Sequence, residues 1–245
     1  MKEVIENRNG KKICVVTETK DNSKGLVFIM HGLGGNKERP AIQTFKQSFE
    51  EEGFDTVVFD ARNSSGESEG NPEEVTLTSY YEDLEDVINW AKKQNFYKEP
   101  FWLIGHSLGG LAVTAYANNN PQEIKYLIPV SATINVEIVE NYYKANIEDI
   151  NGEKWCISSS GKKFKWLPFI KDLGKYDLEV FLSKLKMPIL MVVAENEMYC
   201  GPKKEISKKL GLNLEVIPEA FHKYNNEESL NKLKGVIKSW IGRHL

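Results

Sequence analysis

Short, unbroken apolar runs recur along the chain, and between them lie stretches whose apolar positions suit one face of a helix. The runs are "LVFIM" (26–30), "TVVF" (56–59), "FWLI" (101–104), "YLIPV" (126–130), "PILMVV" (188–193) and "LEVI" (214–217). A continuous apolar run is what a strand needs when both of its faces are covered, so these predict strands of a parallel sheet. Helical stretches fall near 38–52, 76–94, 107–118, 202–210 and 226–242. The opening "VIENRNGKKICVVT" predicts a hairpin that turns at Asn9-Gly10. Strand and helix in alternation predict an α/β fold: a mostly parallel central sheet with helices on both faces.

One interval breaks this rhythm. From Thr133 to Lys175 the pattern turns irregular while large aromatics accumulate: Tyr142, Tyr143, Trp155, Phe164, Trp166 and Phe169. An unpatterned connection of this length is uncommon inside a compact domain and usually has a function. The bland alternative is a solvated excursion with a small cluster of its own. Because the aromatics need something to cover, 133–175 is expected to be a cap over a binding site. The core would then be formed by 1–132 and 176–245.

A chain of 245 residues suits one domain with a small insertion of this kind. With 41% apolar and 27% charged residues it reads as an ordinary soluble globular protein. A formal charge of −3 gives no reason to expect nucleic acid or an anionic membrane as partner. No run approaches the roughly 18 apolar residues that span a bilayer, so no stable membrane insertion is expected. The polar start "MKEVIENRNGKK" lacks the apolar stretch of a signal peptide. Cys14, Cys156 and Cys200 are widely separated and form no CxxC pair. Reduced thiols in a cytoplasm are the expectation, in a protein that works as a monomer or homodimer.

The chemistry centres on "FWLIGHSLGGLAV" (101–113), where Gly105-His106-Ser107-Leu108-Gly109 fits G-x-S-x-G between a strand and a helix. That context lifts a serine hydroxyl above the sheet, with the helix dipole aimed at any nearby anion. Ser107 is therefore the candidate nucleophile, and it needs a base. Of four histidines, His106 lies inside the turn, where its side chain is expected to point away. His31 shapes a Gly-rich loop, and His244 stands next to the last residue. His222, in "EVIPEAFHKYNN", is left as the base. The base in turn needs an acid to fix its tautomer. No aspartate follows Asp177, so the loop after "PILMVV" offers Glu195 or Glu197. Glu197 is preferred, since a longer excursion from the strand end suits a side chain that turns back toward His222. Oxyanion donors are worth roughly 3–4 kcal/mol each. The Leu108 N–H supplies one, and the glycines of "HGLGGNK" allow a second at Leu33. That loop matches neither G-x-x-x-x-G-K-[ST] nor G-x-G-x-x-G, and no H-E-x-x-H spacing occurs. No cofactor and no metal are expected.

Together these residues resemble the α/β-hydrolase superfamily. "HGLGG" is similar to its oxyanion loop, "GHSLGG" to its nucleophile elbow and "EAFH" to its histidine loop, while "AENE" stands where G-x-x-D is usual. "FDARNSSGESEG" (59–70) resembles the D-x-R-G-x-G-x-S stretch of the serine-aminopeptidase and monoacylglycerol-lipase-like branch, which includes bacterial cinnamoyl and feruloyl esterases. That branch often carries a small cap where 133–175 lies. Asn63-Ser64-Ser65 and the glutamate at 197 depart from the family pattern.

The resemblance implies a serine hydrolase that cleaves small-molecule carboxylic esters through Ser107, His222 and Glu197. The aromatic-rich insertion suggests an apolar or aromatic acyl group, feruloyl, cinnamoyl or medium-chain fatty acyl. The same residues would also serve a thioesterase, an acyltransferase or an aminopeptidase, the last needing an acidic recess, for which Glu67, Glu69 or residues of the cap are the candidates. A non-catalytic ligand-binding protein is the reading from outside enzymology.

Overall fold

The apolar runs become strands covered on both faces. In the computed structural model, which describes residues 1–157 and 161–245, every residue of β3 (Leu26–Met30), β4 (Asp55–Phe59) and β10 (Leu190–Ala194) is buried. β1 (Lys2–Glu6), β2 (Lys12–Glu18), β5 (Phe101–His106), β6 (Ile124–Val130) and β11 (Asn213–Ile217) complete an eight-stranded sheet, in the order β1-β2-β4-β3-β5-β6-β10-β11. β1 and β2 pair antiparallel to each other and β2 antiparallel to β4, whereas all neighbours from β4 to β11 run parallel.

Side chains from alternate positions feed two cores. Val27 and Ile29 of β3 join Phe45, Phe49, Trp102, Ile237 and Trp240 on the side of α1 (Pro40–Glu51) and α8 (Glu227–Gly242). Phe28 and Met30 join Leu84, Leu103 and Leu111 on the side of α2 (Leu77–Ala91) and α3 (Leu108–Asn119). At roughly 2 kcal/mol or more per fully buried large side chain, these two layers hold the sheet flat against its helices. No described helix is long and apolar enough to cross a membrane.

Two local expectations are corrected. The first hairpin does not turn tightly at Asn9-Gly10. Its loop spans 7–11, closed by the Asn7 side chain, which accepts the N–H groups of Asn9 (3.0 Å) and Lys11 (2.9 Å). The interval 133–175 is also more regular than its pattern suggests. α4 (Val136–Tyr143) leads into an antiparallel sheet of β7 (Ile147–Ile150), β8 (Glu153–Ile157) and β9 (Lys163–Lys165), followed by α5 (Trp166–Leu173). These strands have three to five residues and bury little beyond Cys156 and Phe164, so no period of two can show itself. Phe164, Trp166 and Phe169 pack on one another, with Phe164 and Phe169 centroids 4.9 Å apart, and continue the α2–α3 core.

The interval 133–175 is tied down at its C-terminal end. The Asp172 carboxylate accepts from the Thr78 N–H (2.8 Å) and hydroxyl (2.6 Å), in the first turn of α2. Beyond it, α6 (Leu178–Leu182) starts with the Leu178 N–H bonded to the Ile134 carbonyl (2.8 Å). α7 (Cys200–Leu210) then links the last two strands.

Candidate active site

Three parallel strands release the chain at their C-terminal ends, the edge at which open α/β sheets bind ligands. β5 ends at His106 and α3 starts at Leu108, with Ser107 between them at φ 54° and ψ −116°. Positive φ is costly for a residue with a side chain, and hydrogen bonds hold it there. The Ser107 N–H donates to the Val130 carbonyl (2.9 Å), and its carbonyl accepts from the Thr133 N–H (3.0 Å). Glycine is required just beyond: a Cβ on Gly109 would overlap the His31 carbonyl oxygen and stand 2.9 Å from that of Met30. Gly109→Ala is expected to cost about 1–3 kcal/mol, lowering the melting temperature by roughly 2–12 °C in circular dichroism. An unchanged melt would mean that helix and strand are not in this contact.

Two loops converge on the serine. The loop after β10 and the loop after β11 are bonded to each other, Glu195 N–H to Ile217 carbonyl (3.1 Å) and Asn196 N–H to Ala220 carbonyl (2.9 Å). The Glu195 carboxylate accepts from the Glu219 N–H (2.8 Å) and so faces backbone. Glu197 lies under the imidazole instead. Its Oε2 is 2.9 Å from His222 Nδ1, and His222 Nε2 is 3.0 Å from Ser107 Oγ. A neutral imidazole that donates from Nδ1 leaves Nε2 free to accept the serine proton. The His222 side chain is 39% exposed and that of Glu197 1%, so the site is open on the nucleophile side and sealed behind the acid. Burial pushes the Glu197 carboxyl up, but the His222 hydrogen bond and the Lys203 charge outweigh it, leaving it at about 2. A depressed carboxyl stabilises the fold above its ordinary value, and that contribution fades as pH falls toward 2.

Residues 25–146 match the family described as alpha/beta hydrolase fold. The chain has the α/β-hydrolase fold. It is similar to Est1E from Butyrivibrio proteoclasticus, in a structure with ferulic acid bound, at 25% identity and a TM-score of 0.84 over 98% of each chain. Alpha/beta hydrolase domain-containing protein 10 from mouse superposes with a TM-score of 0.76 at 15% identity, over 100% of each chain. A curated relative from Escherichia coli, an uncharacterized 31.7 kDa protein in the traX-finO intergenic region, is 35% identical over 168 residues. That match takes in 66% of this chain and 57% of the relative's length.

The Gly-rich loop lies hard against the serine. A Cβ on Gly32 would come within 2.9 Å of Ser107 Cβ. The Gly32 carbonyl accepts from the Gly35 N–H (3.0 Å), the Tyr80 hydroxyl (3.1 Å) and His31 Nδ1 (2.9 Å). His31 must carry its proton on Nδ1, because its Nε2 accepts the Ala61 N–H (3.0 Å), and burial pulls its pKa down. These three donors fix the peptide whose opposite end is the Leu33 N–H. Among the described residues, neither the Leu33 nor the Leu108 N–H donates to another protein atom. Both remain available to a ligand oxygen.

Of the other histidines, His106 does not point away as expected. Its Nε2 lies 2.8 Å from the His222 carbonyl, joining the elbow to the histidine loop, and burial lowers its pKa to about 3. A neutral imidazole there donates to the carbonyl from Nε2. His244 packs on Trp240, 4.1 Å between ring centroids. Glu67 pairs with Lys37 and Lys2, and Glu69 with Lys12. Cys14, Asp60 and Glu67 bring ligand atoms within 4.8 Å of one another, but the charge between the two carboxylates is Lys37's own, 2.8 Å from Asp60 and 2.6 Å from Glu67.

Sequence reasoning missed Tyr80 and Lys203. Tyr80 gave no signal beyond a helical tyrosine. Lys203 did: the buried positions of α7 are Cys200, Lys203, Ile206 and Ser207, a helical stripe facing the core on which a lysine is out of place.

Proposed function

We propose that this hydrolase cleaves carboxylic esters through an acyl-enzyme on Ser107. The observation that carries the reading is the unbroken hydrogen-bond chain from Ser107 Oγ through His222 to Glu197. His222 Nε2 takes the hydroxyl proton as Oγ attacks the carbonyl carbon, and passes it to the leaving alkoxide as the tetrahedral adduct collapses. Glu197 holds the Nδ1–H and stabilises the imidazolium. The Leu33 and Leu108 N–H groups receive the oxyanion, both pointing from fixed backbone so that little reorganisation is needed. Water then adds to the acyl carbonyl by the same route and the acid departs.

The insertion 133–175 would act as the cap that shapes the acyl pocket. Lys162 comes from this segment to the Gly-rich loop, its Cδ 3.9 Å from where a Gly34 Cβ would stand. An aromatic-rich cap favours an apolar or aromatic acyl group, feruloyl, cinnamoyl or medium-chain. The ferulic acid bound in Est1E supports the aromatic choice. The lysine partners of Glu67 and Glu69 speak against a recess for a substrate amino terminus. Three free, buried thiols suit a reducing cytoplasm.

Initial rates on p-nitrophenyl esters from acetate to palmitate, beside methyl ferulate and an acyl thioester, test this. Faster turnover of one oxygen ester than of the thioester is the expected outcome. Turnover of the thioester alone would replace the ester reading. No turnover and no labelling of Ser107 by a fluorophosphonate would leave a binding protein.

A further inference from the structure

Glu197 has a second partner. Its Oε1 lies 2.6 Å from Lys203 Nζ while Oε2 faces His222, so the two carboxylate oxygens are divided between a lysine and the base. The Lys203 side chain is 1% exposed, as is that of Glu197. Burying an ammonium is expensive unless it is paired, and lysine is among the residues least often fully buried. Placement on the inward stripe of α7 commits the helix to that cost. The ring of Tyr199 lies 5.8 Å from Nζ and adds a cation–π contact.

A glutamate has one more rotatable bond than an aspartate, so its carboxylate reaches the imidazole with more freedom to lose. A fixed cation on the far oxygen removes that freedom. The Glu197 backbone is pinned as well, its carbonyl accepting from the Cys200 N–H (3.2 Å) and its own N–H donating to the Ala194 carbonyl (3.3 Å). We infer that Lys203 is a positioning residue: held by α7, it orients the Glu197 carboxylate toward His222 and sets the charge that the imidazole meets. This rests on Glu197 acting as the acid of the Ser107–His222 system.

The charge has a functional sign. Groups facing this cluster are Tyr199 and Cys200 beside Lys203, Tyr224 and His222 on the histidine loop, and His106 at the elbow. Burial raises the Tyr199 and Tyr224 hydroxyls and lowers His106, keeping all three neutral near pH 7. The charges left are those of Glu197, Lys203 and the proton that His222 gains. Removing the Lys203 charge would leave the imidazole facing a bare carboxylate, which favours its protonated form.

The test is the pH profile of kcat/KM on p-nitrophenyl butyrate for wild type, Lys203→Met and Lys203→Gln. The acid limb reports the proton taken up by the Glu197–His222 pair. Without the lysine charge that limb should move up by roughly one pH unit or more, with kcat reduced and KM little changed. Lys203→Gln keeps a hydrogen-bond donor for Oε1 and covers the case in which Lys203→Met does not fold. A folded variant whose limb stays at the wild-type pH overturns the inference, whatever its melting temperature, because loss of packing alone would not move the limb. Glu197→Gln separates the two readings. If it leaves kcat intact, the triad reading itself fails; if it impairs kcat while the limb of the Lys203 variants stays put, the role of Lys203 alone fails.

Discussion

Ser107→Ala should lower kcat on p-nitrophenyl butyrate by roughly 10⁶-fold, the scale on which loss of a serine nucleophile is felt. The reason is geometric. Nε2 of His222 has the Ser107 hydroxyl 3.0 Å away as its partner, and alanine leaves the base with nothing to deprotonate but water. The Leu33 and Leu108 N–H groups would keep their places, since the strained turn is held by the Ser107 backbone rather than by its hydroxyl. Residual rates well above the uncatalysed reaction are thus consistent with the reading. The melting temperature should change little, and fluorophosphonate labelling should vanish. A variant that keeps a tenth of the wild-type kcat would place the nucleophile elsewhere and sink the mechanism.

Glu197→Gln carries the next largest effect, and two quantities should fall together. Replacing the acid of such a triad by its amide costs about 10⁴ in kcat, because an amide can present its NH₂ to Nδ1 and stabilise the wrong tautomer. Lys203 is also left without a counter-charge in a site closed to water, and stranding one member of a buried ion pair costs about 3–5 kcal/mol. At the low end, with the amide oxygen still accepting from Nζ, the melting temperature should drop by roughly 10 °C. Glu195→Gln is the control. Its amide oxygen can still accept the Glu219 N–H, so kcat and stability should both hold. Equal losses in the two variants would mean that the loop, and not the Glu197 charge, matters.

The parallel strands were legible because a strand covered on both faces is mostly apolar, as β3 and β10 are throughout and β4 is after its buried Asp55 and Thr56. Ser107 and His222 could be reached by local context and by elimination among four histidines. The choice between Glu195 and Glu197 rested on loop length alone, and the physical cause came from elsewhere in the fold. The histidine loop's own backbone engages Glu195, which leaves Glu197 for the imidazole. The strands of 133–175 stayed hidden because each has three to five residues and offers almost nothing to a core. The bond from His106 to the His222 carbonyl spans 116 positions in sequence, and no local pattern encodes it. Lys203 was readable in principle, as a cation on an apolar stripe, but that stripe becomes visible only when α7 is aligned with its neighbours.

The hook from Asp172 to Thr78 decides where this chain could be re-engineered. Of β7, β8 and β9 only Cys156 and Phe164 are buried, so a hairpin cassette that keeps those two side chains could be exchanged there without robbing the main core of much surface. The helix that follows is different property: its carboxylate closes the first turn of α2, one of the helices on which the sheet rests. A swap that takes 133–175 as a single block removes that carboxylate and leaves the α2 end short of a bond partner. Chimaeras that exchange part of 133–175 should be spliced ahead of α5, leaving Asp172 with the parent scaffold.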